Sequence, residues 1–259
     1  MKGLARFSIS ESQLGQADPM TVRIAMWSGP RNISTAMMRA WAARSDCAVM
    51  DEPFYGAYLA ATGLEHPMRA EILAAHPVDF ADISKDCAAR AGVEIVYQKH
   101  MCQHMVPEAP LDWMAACRHA FLIRPPSEVA ASFSLKIQGL TAEDLGFRRQ
   151  AELFDHVCQL TGAAPPVIEA RDVLSDPKRA LSALCAALDV PFDPAMLSWK
   201  AGPRDTDGVW SRHWYHSVNT STGFAEPRPP APCPPELSDI VAECQPYYEK
   251  VRAHRLQLA

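Results

Sequence analysis

No run of apolar residues in this 259-residue chain approaches the roughly 20 that a membrane-crossing helix needs, so no membrane span is expected. There is no basic excess either. Lys and Arg number 25 against 30 Asp and Glu, a net charge of −5, so no global field draws in nucleic acid or an anionic membrane. Any anion site must be local. The eight cysteines form no C-x-x-C pair, and the nine histidines form no H-E-x-x-H or tight Cys/His cluster. Reduced thiols, no disulfide and no metal are therefore expected, which points to the cytoplasm. The opening residues carry Lys2 and Arg6 without an apolar stretch between them and the first strand, so no secretory leader is expected. Residues 1–20 read as a flexible arm, with Met20 an alternative start. Repeats and charge blocks are absent. What remains, 48% hydrophobic and 8% aromatic, describes a globular chain able to bury one good core.

Within that chain, short apolar runs alternate with helical patterns. Strands are expected at Val22–Trp27, Ala48–Met50, Val93–Gln98, His119–Ile123 and Pro166–Glu169. Helices are expected at Ser34–Arg44, Met68–Ala75, Ala81–Ala91, Ser127–Ile137, Ala142–Leu160 and Asp176–Leu188. The alternation predicts an α/β fold with a central parallel sheet of about five strands and helices on both faces. Residues 21–259 read as a single domain. Its segment 199–235 is a lid-like loop and a strap with six prolines between Glu226 and Pro235, and residues 236–258 form a last helix.

The first strand runs into Gly29-Pro30-Arg31-Asn32-Ile33-Ser34-Thr35, which opens a helix. The first N–H groups of a helix lack internal partners and carry partial positive charge, so such a turn suits an anion. Arg31 adds a full charge and a planar donor fork. It is not a Walker A loop, because Ile33 and Ser34 stand where Gly and Lys would be. The plainer reading is a strand–turn–helix capped by Ser28 or Ser34. Three further polar groups also follow strand ends: Asp51/Glu52, Lys99/His100 and Arg124. Ligands of parallel sheets bind at the carboxyl ends of strands, and this convergence favours a site.

The order of these segments resembles the sulfotransferases that use 3′-phosphoadenosine 5′-phosphosulfate (PAPS), over about Arg23 to Phe224. Gly29–Thr35, followed by Met37-Met38-Arg39-Ala40, resembles the family's 5′-phosphosulfate loop, with Arg31 in place of its Lys and Ile33 in place of its Gly. Phe121 to Phe133 is similar to its 3′-phosphate motif, an Arg at a strand end (Arg124) and a Ser eight residues later (Ser132). Asp51-Glu52-Pro53 falls where some branches carry an acidic catalytic base. Ile168–Pro177 with Leu188–Asp193 looks like a later family stretch. Lys200, Gly202 and Arg204 match a cofactor loop loosely. The resemblance implies the following roles. Arg124 and Ser132 hold the 3′-phosphate, Arg31 meets the departing oxygen, and Thr35 with the loop amides holds the 5′-phosphate. Glu52 is the first choice for base, with His100 second and Lys99 assisting, while Asp51 is structural. Trp210 and Trp214 stack on adenine, close over the acceptor, or pack the core. The acceptor is a small-molecule hydroxyl or amine, no metal is required, and oligomeric state stays open, a homodimer among the options. Two other readings share the fold: an ATP-dependent kinase or nucleotide hydrolase, and a nucleotide-binding module without catalysis, which Ile33 keeps open.

Overall fold

The structure, a computed structural model, describes residues 21–89 and 92–258. Five strands form one parallel sheet: β1 (Val22–Ser28), β2 (Cys47–Asp51), β3 (Ile95–Met101), β4 (Arg118–Ile123) and β5 (Val167–Glu169), in the order β2-β3-β1-β4-β5. The helices are α1 (Ser34–Ala42), α2 (Tyr55–Thr62), α3 (Arg69–Ala75), α4 (Phe80–Ala88), α5 (Pro126–Ser134), α6 (Ala142–Leu145), α7 (Phe147–Thr161), α8 (Ala170–Ser175), α9 (Pro177–Ala187), α10 (Ser211–Trp214), α11 (His216–Asn219) and α12 (Ser238–Arg252). None is long and apolar enough to cross a membrane among the described residues. All eight cysteine thiols are unpaired.

Both faces of the sheet are covered, which is why its central strands are apolar without alternation. Along β1, Ala25 and Trp27 join the cluster under α5, α7 and α12, while Ile24 and Met26 join the one under α1, α2 and α9. The chain starts at the centre of the sheet, visits one side and then the other. The crevice where that reversal occurs lies beyond the carboxyl end of β1, where a ligand site is expected in such sheets.

Several boundaries differ from the sequence reading, each for a local reason. β3 runs three residues past Gln98, because Gln98, Lys99 and His100 all find partners inside. α2 was not foreseen: it is buried around most of its circumference and shows no amphipathic period. The stretch 142–160 is two helices broken at Gly146, which takes a left-handed φ of 71° after Thr141 and Asp144 cap α6 reciprocally. α12 ends at Arg252. The remaining residues turn back to the outer edge of β5, where Leu256 N–H donates to Val167 O at 2.8 Å and Arg255 meets Glu169 at 2.8 Å.

Candidate active site

The loop after β1 is held open from several sides. Asn32 is fully buried, and its Nδ2 donates to Leu122 O at 3.2 Å, tying the loop to β4. Gly29 lies so close to the chain at Leu145 that a Cβ would sit 2.9 Å from its carbonyl oxygen. Arg31 and Ile33 take left-handed φ values of 60° and 57°. Ile33 is the N-cap of α1 and supplies no side-chain acceptor, and no acidic residue occupies the first turn. The first backbone bond of α1 is Met37 N–H to Ile33 O, 3.0 Å, so the N–H groups of Ser34, Thr35 and Ala36 stand without backbone partners among the described residues. These residues line a cavity of about 340 Å³.

Two guanidinium groups stand at the same rim. Arg31 Nε donates to Ser132 Oγ at 3.0 Å. Arg124 donates through one terminal nitrogen to Arg31 O at 2.9 Å and through Nε to Glu128 at 3.0 Å. Arg31 has no acidic partner among the described residues. Burial and the neighbouring Arg124 both pull its pKa below the usual guanidinium value. Two cations offset by one carboxylate, beside an open helix N-terminus, leave a deficit of negative charge that an anion would fill.

Deeper in the cavity lies a buried ionic network. Lys99 Nζ contacts Glu52 Oε1 and lies 3.0 Å from Asp51 Oδ1 and 2.7 Å from the Tyr215 hydroxyl. That hydroxyl sits 2.7 and 2.8 Å from the two carboxylate oxygens of Asp51, which also accept from Gly208 N–H at 3.1 Å. Burial alone would lower the Lys99 pKa, but Asp51 and Glu52 outweigh it and the net direction is up. Glu52 is raised, chiefly by burial with Asp51 adding, against the pull of Lys99. Asp51 thus ties the 199–223 segment to the sheet, and Glu52 faces the cavity with a left-handed φ of 43°.

Of the residues singled out in the sequence, Pro30 to Thr35, Glu52, Lys99, Arg124 and Ser132 line this one cavity. Gly29 supports the loop from behind. Others lie elsewhere. His100 points into the core, stacked on Trp27 with centroids 4.6 Å apart and bonded to Gln98 Oε1 at 3.0 Å. Its pKa is pushed down to about 3 by burial and by His119. It cannot meet an acceptor, and its place as second candidate base is withdrawn; β3 carries it past the point where the sequence put a strand end. Lys200, Gly202 and Arg204 also fall outside the cavity lining. The Arg204 guanidinium is spent on the carbonyls of Lys200, Gly202 and Pro203, closing its own turn. Trp210 is core, 1% exposed, whereas Trp214 lines the cavity. Sequence reasoning missed Tyr55, His66, His104 and Tyr215, which line it too. His104 lies in the 3₁₀ turn Cys102–His104 directly after β3, so the strand-end rule pointed there once the true end of β3 was known.

A parallel sheet with helices on both faces, and a loop leading from β1 into the open N-terminus of α1, defines a three-layer α/β protein of the P-loop-like kind. The chain belongs to the sulfotransferase-domain family, whose description matches residues 22–255. It is 36% and 34% identical over 230 residues to branched-chain-amino-acid aminotransferase-like proteins 1 and 2 of Arabidopsis thaliana. Those alignments cover 88% of this chain but only 41% of each plant protein. In fold it resembles a sulfotransferase from Alicyclobacillus acidocaldarius, with a TM-score of 0.56 at 12% identity over 91% of this chain and 97% of that one.

Proposed function

We propose that this chain is a sulfotransferase that moves a sulfuryl group from PAPS to a hydroxyl or amine of a small molecule in the cytoplasm. The observation that carries this reading is the Arg31/Arg124/Ser132 cluster beside the open N-terminus of α1, on the same cavity as Glu52. Such a transfer needs positioning and stabilisation of charge on the leaving oxygen, with no covalent help from the protein. The N–H groups of Ser34 to Ala36 and the Thr35 hydroxyl suit the 5′-phosphate. Arg124, at a strand end, suits the 3′-phosphate through its planar fork. Arg31, which lines the same cavity, suits the negative charge that develops on the leaving oxygen. The acceptor's proton must be taken up at the Glu52 end of the cavity.

The rival kinase reading is weakened by the missing Walker lysine, and Lys99 does not replace it, being committed to Asp51 and Glu52. The plant proteins' name is not carried over, because this chain matches only 41% of each of them.

Calorimetry with 3′-phosphoadenosine 5′-phosphate in the presence of EDTA tests the proposal. Binding is expected without metal, and Arg124→Ala should weaken it by about 2–5 kcal/mol. The same substitution should cost adenosine 5′-phosphate much less. Binding of Mg-ATP but not of the bisphosphate would hand the site to the kinase reading.

A further inference from the structure

Charge is not evenly spread along the cavity. Arg31 and Arg124 stand together at the rim, held by Ser132 Oγ, Arg31 O and Glu128. Deeper in, Lys99 is one cation between two carboxylates, Asp51 and Glu52, with side chains 1%, 1% and 11% exposed. No other lysine or arginine pairs with either acid among the described residues, so one buried negative charge is left uncompensated. The histidines beside it do not supply the missing cation. Burial holds the pKa of His66 below the ordinary value and that of His104 well below it. Burial, with Asp51 adding, keeps Glu52 raised in spite of Lys99, as expected of a carboxylate short of a partner. Its Oε1 is taken by Lys99, with the Tyr215 hydroxyl 3.4 Å away. Oε2 makes no hydrogen bond among the described residues: His104 Nδ1 is 3.9 Å away, beyond hydrogen-bond length. That nitrogen is sealed off, but Oε2 is not, and Glu52 lines the cavity. Tyr55, Met101, Phe133 and Trp214 give the same cavity aromatic and apolar walls.

We propose that the acceptor is a primary amine on an apolar or aromatic body, bound as its ammonium ion against Glu52 Oε2; the proposal rests on the sulfuryl-transfer reading above and chooses the amine over the hydroxyl. A hydroxyl could donate to Oε2, but it would leave the buried charge uncompensated. An acceptor anionic at this end would add to it. An ammonium group supplies the missing charge and the missing donor together. The apolar walls suit the rest of an arylalkylamine. The same carboxylate then readies the nitrogen for reaction. Glu52 takes one N–H proton, and the lone pair this frees bonds to sulfur. The bond from sulfur to the bisphosphate oxygen breaks, and its electron pair leaves on that oxygen. The nitrogen's surplus proton passes to water, and the product is a sulfamate.

The deciding measurement is calorimetry at pH 7 on the full chain saturated with 3′-phosphoadenosine 5′-phosphate. Three ligands of like size and different charge are compared: 2-phenylethylamine, 2-phenylethanol and phenylacetate. The amine should bind at least about tenfold more tightly than the alcohol, and the acid more weakly than either. In Glu52→Gln the preference for amine over alcohol should shrink to within about threefold, while bisphosphate affinity stays within about twofold of wild type. An alcohol or acid that binds as tightly as the amine overturns the proposal. So does an amine that does not bind, or a preference that survives intact in Glu52→Gln. If that variant loses the bisphosphate, the order of the three ligands on wild type decides. With labelled PAPS, label should enter the amine as a sulfamate; label in the alcohol and not in the amine also overturns the proposal, and with neither labelled the binding order decides. Failure of wild type to bind the bisphosphate at all would sink the sulfuryl-transfer reading instead, a result distinct from the order of the three ligands.

Discussion

Three residues of the cavity wall, Arg31, Ile33 and Glu52, hold left-handed backbone without being glycine. For a β-branched side chain this is a true outlier, and left-handed backbone costs a non-glycine residue about 1–2 kcal/mol. Strain of this kind persists only where the surroundings fix it: here Asn32 anchors to β4, Arg124 grips Arg31 O, and Glu52 N–H is bonded to Lys99 O at 2.9 Å. It also explains why the resembled loop uses Gly where this chain has Ile33. A test follows from comparing two truncations. Both Ile33→Gly and Ile33→Ala remove the half-buried side chain, but only glycine relieves the backbone. Urea denaturation should find the Gly variant more stable than the Ala variant by about 1 kcal/mol. The opposite order, normal for a helix interior, would mean that the left-handed geometry is not adopted in solution. At this scale the sequence foretold that Arg31, Arg124 and Ser132 would meet at one rim, because each follows a strand end or sits on the helix after one. It misled where depth decides: Lys99 and Glu52 reach the cavity from neighbouring strand ends, while the adjacent His100 points into the core.

At the scale of elements, the alternation of apolar runs and helical patterns announced all five strands, because burial on both faces leaves little else for a parallel strand to be. The elements it hid are those whose signal is not periodic. α2 is apolar nearly all round, and the segment 199–223 is held by polar side chains too far apart in sequence to be paired by inspection. Its main pin is Arg39 of α1, which meets Asp207 at 2.6 and 2.7 Å with side chains 1% and 2% exposed, and also reaches Asn219 at 3.2 Å. Because this segment supplies Tyr215 and Trp214 to the cavity, the pin sets the shape of the site from outside it. Removing one partner of a buried pair leaves the other charge uncompensated. Asp207→Ala should therefore destabilise by about 3–5 kcal/mol, while Arg39→Met with Asp207→Leu should recover much of the loss. Equilibrium denaturation of the single and double variants decides it. A single variant within about 1 kcal/mol of wild type would show that the pair is no more than a surface contact.

At the scale of the whole molecule, the buried histidines make the fold sensitive to acid. His100 is pushed down to about 3, by burial and then by His119, and His119 is pushed down to about 4, chiefly by burial. Both sit against Trp27 at the centre of the sheet, His119 accepting from the indole N–H at 3.1 Å. In the unfolded chain each would take up a proton near the ordinary histidine value of about 6.5. Below that pH the unfolded state binds protons that the folded state refuses. Stability is thus full above about pH 6.5 and is lost as pH falls toward the folded values, by about 1.4 kcal/mol per unit for each histidine. Glu52, Asp86 and Asp172 work in the opposite sense, since their raised pKa values favour the folded state as they protonate. Their ordinary values lie near 4, so pH 6 to 5 is the window in which the histidine effect stands most nearly alone. Urea midpoints taken across that window should fall steadily. His100→Gln, which cannot titrate, should lower stability at pH 7 through lost stacking on Trp27 yet flatten the slope by about one proton's worth. An unchanged slope in that variant would mean that His100 charges in the folded state, and so is not sealed in the core.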